Sequence, residues 1–277
     1  MRSLWGTLVV VLLVVGGCSD GSDEPEATPT PSADATTATR AVTLESLDLD
    51  WPRSDGTLDA AKPPAVPDGF DEGVYDQMVT GLKAWAAAST VDDTVWHNAK
   101  PVEQVASTLP GQAAATLTKQ SEGQASPRLA VANVFSDRVK VIGEPQVSTA
   151  WQVRTVDDDT EKPYIVLEAE TRAAYEVRLG ANGPSRVIGM LRVHALSAFD
   201  DTTDDFGVSG GWQEFGAGDC SLALNDSLIP DADVDGSAKD LEKFIAVGND
   251  DAVVMPDLGD DEQVDGNYLK RCREGSI

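Results

Sequence analysis

The spacing of apolar residues predicts a helical segment at the start of the folded part of the chain. Between about 71 and 88, large apolar side chains recur at intervals of three and four, which places them on one face of a helix. Shorter helices are expected on both sides of Pro110, with Pro101 in a first-turn position. The apolar stripe of the long helix, which we expect in the core, consists of Val74, Met78, Leu82 and Trp85.

After Pro127 the apolar period changes from that of a helix to that of strands. The clearest strand prediction runs from Tyr164 to Leu179, and a turn at 181–184 leads into an antiparallel return from Arg186 to Leu196. Another strand is expected from Val147 to Val156. Because apolar and polar residues alternate along 164–179, we expect one face of that strand to be buried and the other to be wet.

Helices followed by long antiparallel strands predict the α+β fold class, with N-terminal helices packed on a curved antiparallel sheet. This order resembles the cone-shaped fold of the nuclear transport factor two superfamily, and another α+β sandwich is the alternative. The resemblance implies a pocket between the sheet and the first helix, either catalytic or only a binding cleft. Function does not follow from such a fold, so the pocket residues must be judged separately.

Few residues of the domain could act as a catalytic acid or base. His194 lies within a predicted strand whose facing is open, and His97 lies in an expected loop. Glu168, Glu170 and Glu176 fall on the polar face of their strand, away from the expected pocket. The sequence has no nucleophile motif, phosphate-binding glycine loop or histidine pair at metal spacing. We therefore assign no catalytic residue, and His194 is the acid or base of the alternative enzyme hypothesis.

The N-terminus carries a second, shorter apolar pattern. Arg2 precedes an apolar run from Leu4 to Val15, which has signal-peptide length and is shorter than the roughly twenty residues of a membrane span. The run ends in Val15, Gly16, Gly17 and Cys18, which resembles the lipobox of bacterial lipoproteins. The abundance of Ala, Val, Asp and Thr with little Lys resembles the secreted lipoproteins of high-GC actinobacteria. The lipobox resemblance implies removal of 1–17 and diacylation of the Cys18 thiol. The alternative is an ordinary signal peptide or uncleaved anchor with an incidental cysteine.

The pattern therefore predicts a chain of several parts after the signal peptide. Residues 18–40 contain no large apolar side chain and are expected to be a disordered linker behind the lipidated cysteine. Residues 41–69 form an extended, Pro-containing arm laid against the domain, with an edge strand as one form. The α+β domain is expected over 70–199, and an acidic, loop-rich extension over 200–277.

The net charge of the chain limits the kinds of partner that it could bind. The net charge is -26, and residues 200–277 hold 20 acidic residues against 5 basic ones. Such a chain repels phosphate backbones, so nucleic acid is excluded as a partner and membrane attachment must come from the lipid. The expected location is the outer face of the cytoplasmic membrane. Outside the cytoplasm, Cys220 and Cys272 are expected to form a disulfide that closes the extension, with two separate thiols as the alternative.

One stretch of the extension matches the pattern of a calcium loop. Residues 231–242 read D-x-D-x-D-G followed by five residues and a Glu, which resembles an EF-hand loop, although Lys239 replaces an oxygen-bearing residue. A solvated acidic turn is the alternative. The expected Ca²⁺ ligands are Asp231, Asp233, Asp235, Ser237 and Glu242.

Together these features predict a lipid-anchored, extracytoplasmic protein that acts as a non-enzymatic binding or cell-envelope module. Two alternatives remain open from the sequence. One is a hydrolase or isomerase that uses the domain pocket, and the other is an acidic docking surface for a basic partner.

Overall fold

The computed structural model describes residues 41–58, 62–124, 126–157, 162–202, 205–218, 225–231 and 233–246. All of them belong to one unit, Thr39–Ile277. The predictions for the signal peptide, the linker, Cys18 and the Cys220–Cys272 disulfide lie outside the described residues.

The long helix α1 runs from Glu72 to Thr90. It begins where the Asp71 carboxylate accepts a hydrogen bond from the Val74 backbone nitrogen at 2.8 Å, which satisfies one of the free donors of the first turn. The predicted apolar stripe is buried along its whole length, as expected. In the described part of the chain, shorter helices follow: α2 (Asp93–Trp96), α3 (Pro101–Ala106), α4 (Ala113–Glu122) and α5 (Pro127–Val131).

An antiparallel five-stranded sheet follows the helices and confirms the α+β class. Strands β1 and β2 pair with successive parts of β3, and β4 and β5 continue the sheet on the other side. The predicted strands agree closely with the observed ones, and β5 extends the sheet beyond the boundary expected at residue 199. The strands are β1 (Val139–Val141), β2 (Gln146–Val156), β3 (Tyr164–Leu179), β4 (Ser185–Phe199) and β5 (Gly207–Phe215).

The larger core lies on the face of the sheet that α1 covers, which we call the inner face. Helix α1 packs on β3 and β4, and the odd-numbered residues of β3 from Ile165 to Val177 point into this core. Aromatic rings of Trp96, Phe135 and Tyr175 meet edge to face beneath the short helices. Burial of this many large side chains from helices and sheet is the main source of the domain's stability.

A smaller core lies on the opposite, outer face. It combines the arm, where Leu44 and Trp51 are buried, with a C-terminal helix α6 (Val234–Ala246). The Trp51 and Phe244 rings meet at 5.4 Å, and Gly189 of β4 leaves the room that Phe244 needs, since a Cβ there would lie 2.8 Å from its ring. The arm forms a short 3-10 turn at Glu45–Leu47, and its Arg53 makes an isolated antiparallel bridge with Gln146 at the start of β2.

The prediction that one face of β3 is wet is wrong. Its even-numbered residues from Val166 to Ala174 are as buried as the odd-numbered ones. The charged members tolerate burial because they pair: the Arg172 Nε donates to the Glu170 Oε1 at 2.6 Å. Alternation of side-chain type therefore separates the two faces correctly but does not report which of them is exposed.

None of the helices in the described residues is both long enough and apolar enough to cross a bilayer.

Candidate functional site

Polar side chains interrupt the inner face where α1, α5 and the sheet converge. We call this group the inner polar cluster. It consists of Trp85, Ser89 and Thr90 on α1, Asn133 after α5, Thr171 and Tyr175 on β3, and Arg192 and His194 on β4.

Arg192 is the central side chain of the cluster and is only 2% exposed. Its Nε donates to the Asn133 Oδ1 at 2.6 Å, and its terminal nitrogens donate to the carbonyls of Leu129 and Ala130 at 2.5 and 3.4 Å. Those carbonyls belong to the last turn of α5, where a cation is favoured. Burial lowers the pKa of Arg192 to about 9, so the guanidinium is still charged at neutral pH.

Tyr175 and Asn133 connect this arginine to α1. The Asn133 amide donates to the Tyr175 hydroxyl at 2.7 Å, and that hydroxyl donates to the Thr90 carbonyl at 2.6 Å. The Asn133 backbone nitrogen also donates to the Ser89 carbonyl at 2.8 Å. Burial is the main cause that raises the pKa of Tyr175, which therefore stays protonated. These bonds form a continuous network from β4 through α5 to the end of α1.

Several atoms of the cluster have no partner in the described part of the chain. Each is fully enclosed, and an enclosed donor or acceptor without a hydrogen bond costs about 1–3 kcal/mol. Ordered water is the usual partner of enclosed polar atoms of this kind. The atoms are Trp85 Nε1, Ser89 Oγ, Thr90 Oγ1, Thr171 Oγ1 and His194 Nδ1.

His194 is placed by the register of the sheet on the inner face, opposite Ala169 of β3 and Gly210 of β5. Its ring meets the Trp85 indole edge to face at 4.6 Å. Burial, with a smaller contribution from the nearby Arg192 charge, lowers the pKa of His194 to about 3. The imidazole is therefore neutral at physiological pH and a very weak base, which is poorly matched to acid–base catalysis there.

His97 lies elsewhere, in an open cleft of about 630 Å³ that we call the basic cleft. Its side chain is exposed at the end of α2, and its ring lies 6.5 Å from that of Phe135. The two histidines therefore do not form a joint site. The cleft is lined by His97, Ala99, Arg128, Phe135, Ser136, Asp137, Arg138, Asn225, Ser227 and Ile229.

The three strand glutamates point to the outer face, as the sequence predicts, but they have structural contacts there. Glu168 accepts a 3.4 Å bond from Arg154, and Glu170 pairs with Arg172. The Glu176 Oε2 accepts a bond from the backbone nitrogen of Leu44 in the arm, at 3.3 Å.

The expected calcium ligands lie just before α6 and along it. Asp233 precedes the first residue of α6, and its Oδ1 accepts a 3.1 Å bond from the Asp235 backbone nitrogen, while the Ser237 nitrogen donates to the Asp233 carbonyl. Ser237 is buried in α6, and Glu242 is exposed one turn later. Acidic residues spaced in this way also satisfy a helix N-terminus, which explains the match to the pattern.

A metal ion has no ready set of ligands in the described residues. They contain no group of three or more His, Cys, Asp or Glu side chains placed to hold one. Of the expected ligands, Asp231 and Asp233 precede α6, and Asp235, Ser237 and Glu242 lie within it.

Sequence reasoning missed Arg192 and Asn133 as members of a site. One signal was available: Arg192 has the same strand parity as Met190, His194 and Leu196, so a charged residue occupies an inward position of a buried strand. Asn133 carried no such signal, because only the fold brings it against Arg192.

Comparisons with known proteins do not assign this chain to a family. No protein-family model matches the chain, and neither a curated protein nor a solved structure does.

Proposed function

We propose that this chain is a lipid-anchored extracytoplasmic protein whose α+β domain is a non-enzymatic binding module. One observation carries the proposal: the apolar run from Leu4 to Val15 ends in Gly16, Gly17 and Cys18, and a long stretch without large apolar residues separates it from the domain. Two acyl chains on one cysteine would hold the protein stably at the membrane surface, where a single chain would not.

Binding rather than catalysis is supported by the state of the inner polar cluster. Arg192, Asn133 and Tyr175 are already engaged with one another and with backbone carbonyls. His194 is neutral and sealed beneath Trp85. Groups that are immobilised by their own hydrogen bonds position secondary structure, and they are not free to exchange protons with a substrate.

Metabolic labelling with a clickable fatty acid tests the anchor. We expect the wild-type protein to be labelled and to fractionate with membranes, and Cys18→Ser to lose the label and be released. The double variant Cys220→Ser/Cys272→Ser is the matched control, because it removes the two other cysteines together and should leave labelling unchanged. Label retained by Cys18→Ser would refute the proposed anchor.

Two finer features accompany this proposal. We infer a cone-like arrangement of the nuclear transport factor two type, supported by α1 lying on the long antiparallel strands β3 and β4. A disulfide between Cys220 and Cys272 follows from the pairing of the two cysteines that remain after acylation. Intact-protein mass before and after reduction and alkylation would detect it, and alkylation of both thiols without reduction would exclude it.

The unpartnered atoms of the inner polar cluster favour one second candidate, an enzyme that admits its substrate beside His194. An experimental high-resolution structure of the protein purified from its membrane would show what partners those atoms. An organic molecule in contact with His194 would support this candidate. Ordered water alone would leave the cluster with a structural role.

A further inference from the structure

The basic cleft has an unusual charge for this chain. Its lining includes two arginines and a histidine against a single carboxylate residue, Asp137, whereas the whole chain has a net charge of -26. A local reversal of sign in an open concave site attracts ligands of the opposite charge, because the cleft walls exclude some of the screening solvent. The volume of about 630 Å³ is suited to a small organic molecule.

Backbone hydrogen bonds join the separate segments that form the cleft. The Phe135 nitrogen donates to the Trp96 carbonyl at 2.8 Å, and the Ser136 nitrogen donates to the Leu228 carbonyl at 3.1 Å. The Asp226 carboxylate accepts bonds from the backbone nitrogens of Arg128 and Leu129, at 2.8 and 3.1 Å. These links hold the cationic side chains on a defined scaffold, so less ordering is required when a ligand binds.

In the described part of the chain, neither Arg128 nor Arg138 forms an ion pair with a carboxylate, although Asp137 also lines the cleft. Asp226, which lies next to the cleft residues Asn225 and Ser227, is engaged with backbone donors. Arg128 donates one terminal nitrogen to the Asn98 carbonyl at 3.0 Å, which orients the side chain without neutralising it. Arg138 is exposed, and its guanidinium has no hydrogen bond or ion pair in the described part of the chain.

We propose that the basic cleft binds a small organic anion through its oxyanion head, a carboxylate or a phosphate. The free Arg138 guanidinium would contact the head in the two-pronged geometry that arginine forms with either group. Hydroxyls of Ser136 and Ser227 supply further donors, and Phe135 and Ile229 give an apolar wall for the rest of the molecule. This inference rests on the proposed binding function and names its ligand class.

The test uses the full-length lipidated protein in detergent and follows unfolding by tryptophan fluorescence. Sodium phosphate and sodium benzoate are titrated separately against sodium chloride at equal ionic strength. We expect at least one of the two anions to raise the unfolding midpoint in a saturable way, since a ligand that binds only the folded state stabilises it. The anion with the larger effect identifies the preferred head group.

Arg138→Gln should weaken the apparent affinity for that anion at least tenfold. Lys140→Gln is the matched control, because Lys140 is an exposed cation on β1 that does not line the cleft. The proposal is overturned if neither anion exceeds chloride, or if the two variants lose affinity equally. If no anion binds but Cys18 is still labelled, the cleft is not the ligand site, and the proposal of a lipid-anchored binding module is unaffected.

Discussion

Arginine and histidine occur together in two regions of this domain, and their surroundings give them opposite properties. In the inner polar cluster, Arg192 donates its hydrogen bonds to Asn133 and to the end of α5, and the buried His194 ring packs against Trp85. In the basic cleft, Arg138 is exposed and unpaired, and His97 faces an open volume. The same residue types therefore hold the fold together in one region and remain available to a ligand in the other.

This comparison shows that the role of a polar side chain depends on its hydrogen-bond partners and on its exposure to solvent. The residue type alone does not decide it. His194 is the more suggestive histidine in the sequence, because it lies in a strand of the presumed pocket. Its burial makes it neutral, and its position makes it inaccessible to solvent. The less conspicuous loop histidine, His97, lies in the region that a ligand can enter.

The largest expected difference between the two regions is in stability. Arg192→Leu should lower the free energy of unfolding by about 3–5 kcal/mol, because the Asn133 side chain and the carbonyls of α5 lose their donor inside the protein. Arg138→Leu should change it by less than about 0.5 kcal/mol, since it removes an exposed side chain without a hydrogen bond or ion pair. Urea unfolding followed by tryptophan fluorescence measures both. Similar losses for the two variants would abolish the distinction between the regions.

A smaller difference is expected in the dependence of stability on pH. The pKa of His194 is about 3 in the folded state and near 6.5 when unfolded, so the unfolded chain binds an extra proton between these values. The stability from the neutral ring is fully present above pH 6.5 and is lost as the pH falls toward 3. Between pH 6.5 and 5 this loss amounts to about 1–2 kcal/mol.

His194→Gln should therefore flatten the stability profile over that interval. His97→Gln is the control, because it removes the other histidine of the chain, whose side chain is exposed. Chemical unfolding at pH 7.0, 6.0 and 5.0 provides the comparison. If the slope is the same in wild type and His194→Gln, the histidine is not held neutral by burial.

The smallest effect on stability is expected from adding calcium ions. Because Asp233 and Asp235 belong to the start of α6 rather than to a loop, 1 mM calcium should leave the unfolding midpoint within error of that in 1 mM magnesium. Asp231→Ala should respond in the same way. A midpoint that rises with calcium alone, and no longer does so in Asp231→Ala, would restore the calcium site.

The elements of the fold were largely predictable from local sequence. The stripe from Val74 to Trp85 placed α1, and alternation placed β2, β3 and β4 within a few residues of their observed ends. These predictions succeed because helical and strand periodicities are properties of neighbouring residues. The 231–242 stretch shows a limit of this approach: aspartates at short spacing suit either a calcium loop or a helix N-terminus, and local sequence does not distinguish them.

The candidate sites were much less predictable. Asn133 and Arg192 meet across 59 positions of sequence, and Arg128 is oriented through contacts with Asn98 and Asp226. Such juxtapositions depend on how strands pair and on which helix covers which face. Neither is encoded in the spacing of any one segment.

The sequence by itself determined the long helix α1, the main strands, the acidic character of the chain and the lipobox-like motif that ends at Cys18. Each of these depends only on composition or on residues that are close together in the sequence. Only the tertiary structure decided that both faces of β3 are covered, that His194 is sealed, and that the calcium-like stretch begins a helix. Burial is a property of what packs on a residue, and for His194 the covering residue is Trp85, from a helix more than a hundred positions away. The cations left outside such packing are the ones free to bind.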